Sequence, residues 1–123
     1  GLMQRDFTYI DDVINAIENC CSKPAEINSL FDKSKPESDS SFLPYRIFNV
    51  GNNKPVKLLY FISLLEKELK KKAILKLLPM QKGDVESTWA NIDSLNEWIG
   101  YKPNVSIEEG VSKFIAWYKE YFH

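Results

Sequence analysis

Apolar residues return at helical spacing in three stretches of the chain and gather into short blocks in two others. Val13, Ile14, Ile17 and Cys21 share one face of a helix expected from about Asp12 to Cys21, which Pro24 closes because proline cannot continue the hydrogen-bond ladder. Leu58, Phe61, Ile62, Leu65 and Leu69 define a second helix over about residues 58–71, with its lysine-rich end complementing the macrodipole. Ile107, Val111, Phe114, Ile115, Tyr118 and Phe122 define the last one, broadened by Trp117 and Tyr121. Its start carries the capping-box sequence Ser106-Ile107-Glu108-Glu109. A shorter helix holds Leu95, Trp98 and Ile99, with Asn91 or Asp93 as its cap and Gly100 as its stop. The blocks Tyr45–Val50, stopped by Gly51, and Ala73–Leu78, stopped by Pro79, predict buried strands. Pro55-Val56 reads as extended.

The stretch Arg5–Asp12 combines two patterns. Phe7, Tyr9 and Ile10 give it β-propensity, and Asp11-Asp12 then precede the first helical run as an N-cap would. Arg5 stands just before that expected strand. Its guanidinium either meets an anion bidentately or pairs with Asp6 or another surface carboxylate.

Residues 23–44 interrupt the pattern. Ser34–Ser41 contains no apolar residue, so this segment is expected to be a flexible loop, its middle a candidate for disorder. The remaining elements predict an α/β domain of mixed short strands and helices. With 123 residues, 44% of them hydrophobic, the chain can bury one core. Sixteen basic residues against 17 acidic ones give no broad basic field for nucleic acid. No apolar run approaches the roughly 20 residues of a membrane span. The only cysteines, Cys20 and Cys21, are adjacent, too strained for a mutual disulfide and too few for a zinc site. Reduced thiols predict a cytoplasmic location.

Little catalytic apparatus is visible. The single histidine, His123, is the terminal residue and is expected to fray, so a Ser-His-Asp or Cys-His centre cannot be built from this chain alone. Glycines occur only at positions 1, 51, 83, 100 and 110, which excludes a Gly-rich phosphate loop. No tyrosine is followed four residues later by lysine, and the acidic residues lack the spacing of a metal cage. Two polar clusters remain, Arg5 and Gln81–Asp84, each expected where a strand ends, which is where ligands gather in open α/β sheets. Gly83 predicts a kink or a close backbone approach beside Asp84.

Those two clusters, in this order, carry a resemblance. The run from Gly1 to Val13, with Arg5-Asp6-Phe7-Thr8-Tyr9-Ile10-Asp11-Asp12 at its centre, is similar to a segment of nucleotide-sugar epimerases of the extended short-chain dehydrogenase/reductase superfamily, and within it to the UDP-glucuronate 4-epimerase type. The likeness continues through Pro44–Asn52, Pro79–Val85, Gly100–Pro103, Ser106–Gly110 and Phe114–Tyr118, nearly the whole chain.

The resemblance implies a C-terminal nucleotide-sugar-binding part of an extended Rossmann-type epimerase, spanning residues 1–123 and lacking the cofactor-binding half. Such enzymes hold NAD in an N-terminal Rossmann domain and oxidise the sugar C4 hydroxyl through a Tyr-x-x-x-Lys pair, and the parent is expected to be a homodimer. By motif position, Arg5 would bind the diphosphate of a UDP-sugar and Asp84 the uridine ribose hydroxyls. Gln81 would make a neutral contact at a position that is arginine in UDP-galactose 4-epimerases. The catalytic pair and the glycine fingerprint are missing, so the chain is expected to be inactive alone and to bind no NAD or metal. Two smaller departures are Lys70, where the family has glycine and which predicts a helix one residue longer, and Asn91, where it has aspartate. Other readings stay open: a related dehydratase or decarboxylase, or a non-catalytic interaction or nucleotide-binding module.

Overall fold

A computed structural model describes residues 1–122; His123, and with it the expected fraying of the terminus, lies outside the described residues. The elements in chain order are β1 (Gln4–Asp6), α1 (Ile10–Ser22), β2 (Pro55–Lys57), α2 (Leu58–Leu69), α3 (Asp93–Ile99) and α4 (Ile107–Tyr121). β1 and β2 pair antiparallel, with Gln4 opposite Lys57, Arg5 opposite Val56 and Asp6 opposite Pro55. On its other edge β1 is met in parallel by the chain around Ser87, through Gln4 N–H to Glu86 C=O (2.8 Å) and Thr88 N–H to Gln4 C=O (3.3 Å). Helix α2 packs on α4, and α1 on α3.

The core is small. Ala16 of α1, Leu95 of α3 and Tyr101 form its centre, with Cys20, Phe48, Ile92 and Ile99 packed around them. Val111 and Ile115 bury the inner side of α4, and Phe7 stacks on Phe61 with ring centroids 4.3 Å apart.

All four predicted helices form, but the inward face of α1 differs from expectation. Asp12 and Ala16 are buried, whereas Ile14 and Ile17 stay about half exposed. Nor do Asp11 and Asp12 cap α1: Tyr9 is the N-cap, both aspartates sit in the first turn, and Asp12 reaches across the fold instead. The capping box of α4 is half formed. Ser106 Oγ accepts the Glu109 N–H at 3.2 Å, while the Glu109 carboxylate turns outward to Lys113 at 2.9 Å.

Helix α2 stops earlier than the sequence implied. It ends at Leu69, and Lys70 itself takes the left-handed conformation with φ +54°. Lys70 N–H to Lys67 C=O and Lys71 N–H to Glu66 C=O complete a Schellman closure usually occupied by glycine. The Glu66 carboxylate secures the exit by accepting from Ala73 N–H (2.8 Å) and Lys72 Nζ (2.9 Å). At the end of α3, Gly100 takes φ +69° as foreseen. At its start Ile92 is the N-cap and neither Asn91 nor Asp93 caps the helix, Asn91 Oδ1 instead accepting the Asp93 N–H in a local turn before it.

Neither apolar strand block is a strand here. Around Tyr45–Val50 the only ladder contact among the described residues is an isolated Ser40–Arg46 bridge, and Ile47 is half exposed. Ala73–Leu78 pairs with nothing among the described residues, leaving Ile74 fully exposed and Leu77 and Leu78 about two-thirds exposed. A strand's hydrogen bonds lie on its neighbours, so a correct apolar pattern without a paired neighbour yields only extended chain. Between α1 and β2 the chain is held by turns and by Asn28, whose N–H meets the Ser41 carbonyl and whose side chain meets Ser40 Oγ.

Candidate functional site

Arg5 lies in the middle of β1 rather than at a strand end, because the paired segment falls earlier than the residues of highest β-propensity. From there Nη2 donates to Asp84 Oδ1 at 2.7 Å, and Nη1 donates to the carbonyl of Gln4 at 2.8 Å. The ion pair joins segments 79 residues apart in sequence and brings together two of the three residues singled out above. Both side chains keep access to water, at 25% and 37% exposure, so a ligand can reach either partner.

Asp84 is presented by a turn. Its N–H meets the Gln81 carbonyl at 3.2 Å, Gly83 between them takes φ +89°, and Asp84 Oδ1 also accepts the Val85 N–H at 2.8 Å. That positive φ is the kink expected of Gly83, a conformation an L side chain would strain. The close approach is not there: a Cβ at Gly83 would meet open space. Gln81 is exposed, and among the described residues no hydrogen bond joins its amide to Arg5 or Asp84.

Asp6 does not pair with Arg5. Its carboxylate accepts from four backbone amides, Asn52 (3.2 Å) and Lys54 (3.5 Å) on Oδ1, and Asn53 (2.9 Å) and Ala90 (3.1 Å) on Oδ2. Gly51 is required beside it, because a Cβ there would stand 2.4 Å from Ala90 Cβ and 2.9 Å from Asp6 Oδ2. Asp12 makes a second junction of the same kind with the N–H groups of Asn104 (3.0 Å) and Val105 (3.1 Å). Near both, the Tyr101 hydroxyl donates to the Gly51 carbonyl; burial first, then the charges of Asp12 and Asp6, push its pKa up. Sequence reading missed Asp6 and Asp12 as organisers, and adjacency to a helix start or to an arginine gave a misleading local explanation for each.

A separate cavity of about 400 Å³ lies between α1 and α3, lined by Cys20, Phe48, Leu95 and Trp98 among others. At its rim Lys23 and Arg46 stand 4.5 and 5.6 Å from the Trp98 ring centroid. No cluster of metal-ligating side chains occurs among the described residues, nor is any helix long and apolar enough to cross a membrane.

No established family profile matches the chain. It is 43% identical over 122 residues to Protein CapI of Staphylococcus aureus, covering 99% of this chain and 36% of the relative. It is 41% identical over 121 residues to a probable UDP-glucuronate 4-epimerase of Rhizobium meliloti, covering 98% and 36%. The crystal structure of the UDP-glucuronic acid 4-epimerase of Bacillus cereus, in complex with UDP-glucuronic acid and NAD, superposes with a TM-score of 0.71 at 27% identity, over 98% of this chain and 33% of that one. Over its own length, then, the chain is a relative of the nucleotide-sugar epimerases of the extended short-chain dehydrogenase/reductase superfamily. Within them its likeness is to the UDP-glucuronate 4-epimerase type, and it spans about a third of the length of the curated relatives it matches.

Proposed function

We propose that this chain is the C-terminal, UDP-gripping part of an NAD-dependent UDP-sugar 4-epimerase of the UDP-glucuronate/UDP-galacturonate type. Arg5 binds the diphosphate, Asp84 accepts from the ribose hydroxyls and Gln81 adds a neutral contact. The observation that supports this best is the 2.7 Å Arg5–Asp84 pair, which gathers a cation for phosphate and an acceptor for hydroxyls at one accessible place. Within the pair each group neutralises the other. A nucleotide diphosphate exchanges that contact for two new ones.

Hydride transfer at C4 belongs to a Rossmann part with its Tyr-x-x-x-Lys pair and NAD, which this chain's sequence does not supply. The parent assembly is a cytoplasmic homodimer in this reading, and the exposed apolar residues of α1 and of 73–78 meet the rest of such a protein. Half of an enclosed site holds its ligand weakly, at about millimolar Kd for UDP. Titrating the 15N-labelled chain with UDP should move the Arg5 and Asp84 amides. Shifts confined to other residues, or turnover of UDP-glucuronate with NAD by this chain alone, would overturn the assignment.

A further inference from the structure

We infer that Asp6 is the positioning residue of the Arg5–Asp84 pair, acting through the backbone of residues 86–90 rather than by touching a ligand. Neighbours on a strand project to opposite faces, so Arg5 and Asp6 point away from each other across β1. The segment after Asp84 crosses the edge of β1 from one face to the other. It is tied to Arg5 at Asp84, to Gln4 at Glu86 and Thr88, and to Asp6 at Ala90. Only the last tie depends on a side chain behind the site. The same carboxylate also holds Asn52, Asn53 and Lys54, the turn that delivers β2 to the opposite edge of β1. One charged group thus fixes both neighbours of the strand that carries Arg5. Four amide donors on one carboxylate are charge-assisted bonds, and an amide side chain can keep at most the two on one oxygen, because its NH₂ group would face the other two donors with a donor. Without them, 86–90 is held on β1 only by its two backbone bonds to Gln4 and a long Arg5–Glu86 contact, and the hold of Asp84 on Arg5 loosens. The crowding of Gly51 against Ala90 and Asp6 Oδ2 shows how little slack the junction has.

The consequence for nucleotide rests on the reading of Arg5 and Asp84 given above, so the test has two arms. The control is Asp12→Asn, the same chemical change at a carboxylate that accepts two amides away from this strand. In the first arm no nucleotide is present, and NMR follows rotation of the Arg5 guanidinium. Rotation should be slow in the unsubstituted chain and in Asp12→Asn, and fast in Asp6→Asn. Slow rotation in Asp6→Asn would overturn the inference. If Asp6→Asn does not fold, an amide-to-ester replacement at the Ala90 nitrogen deletes a single donor to Asp6 Oδ2 without added bulk and is read the same way. In the second arm UDP affinity should fall about fivefold or more in Asp6→Asn and stay unchanged in Asp12→Asn, as expected for loss of a well-placed charge-assisted contact. Equal losses in the two variants would mean a merely structural role. Absence of UDP binding by the unsubstituted chain would refute the proposed function, while the first arm would still decide the role of Asp6.

Discussion

The region around β1 and the run from Ala73 to Met80 make opposite use of their residues. Around β1 the chemistry is polar, yet almost every charged group is committed. Asp6 takes four amides, Asp12 two, and Arg5 one carboxylate and one close carbonyl. The run 73–80 is apolar in pattern but nearly uncommitted, with Ile74 wholly exposed and Leu77, Leu78 and Met80 half exposed or more. Apolar character alone therefore does not mark what holds this chain together. A few long-range carboxylate-to-amide bonds tie distant loops together, and the core of Ala16, Leu95 and Tyr101 closes around them.

This contrast is tested most severely by a pair of substitutions. Asp12→Ala strands two amides at a site only 3% exposed and should cost about 2–4 kcal/mol, whereas Ile74→Lys should stay within about 0.5 kcal/mol despite placing a charge in an apolar run. Urea unfolding midpoints measure both. Equal losses would mean that the apolar run is packed after all. A smaller effect is expected where α2 gives way to that run. Lys70→Gly removes the strain of a left-handed lysine and should stabilise the chain by about 0.5–1 kcal/mol, partly offset by the greater freedom of glycine in the unfolded state. A loss of stability in the same measurement would contradict the Schellman closure.

The smallest effect lies on the surface between α2 and α4. The Tyr60 hydroxyl donates to Glu108 Oε1 at 2.6 Å, a bond that lowers the Glu108 pKa and raises that of Tyr60. A lowered carboxylate contributes stability that is fully present above its unfolded pKa and lost as pH falls through the folded one. A raised phenol contributes stability present below its unfolded pKa and lost as pH climbs through the folded one. Tyr60→Phe should therefore narrow the difference from the parent chain at both acid and alkaline extremes, with the gap widest near neutrality. A gap that does not vary with pH would remove this bond from the account.

The four helices were legible because their signals are local. Apolar residues three and four apart mark a face, Ser106 reaches an amide three residues on, and Gly100 supplies the positive φ that ends α3. The apolar blocks at 45–50 and 73–78 were equally clear as patterns and formed no ladder, because pairing depends on chain elsewhere. For the site, Arg5 and Asp84 could be singled out from their motifs, and Gly83 marked the turn that presents Asp84. Their direct pairing and the position of Arg5 within β1 were not readable. Gln81 shared the motif but not the contact.

By itself, then, the sequence determined where the backbone closes hydrogen bonds onto itself within four residues: the helices, the stop of α3 at Gly100 and the turn at Gln81–Asp84. The tertiary structure decided everything whose partner lies far along the chain. It sent Asp12 across to residues 104 and 105, gathered four amides onto Asp6, and set Arg5 against Asp84. The reason is one of range. A helix carries its own acceptors, but a strand edge or a carboxylate can be satisfied by any donor the fold delivers, and only the assembled fold selects which one arrives.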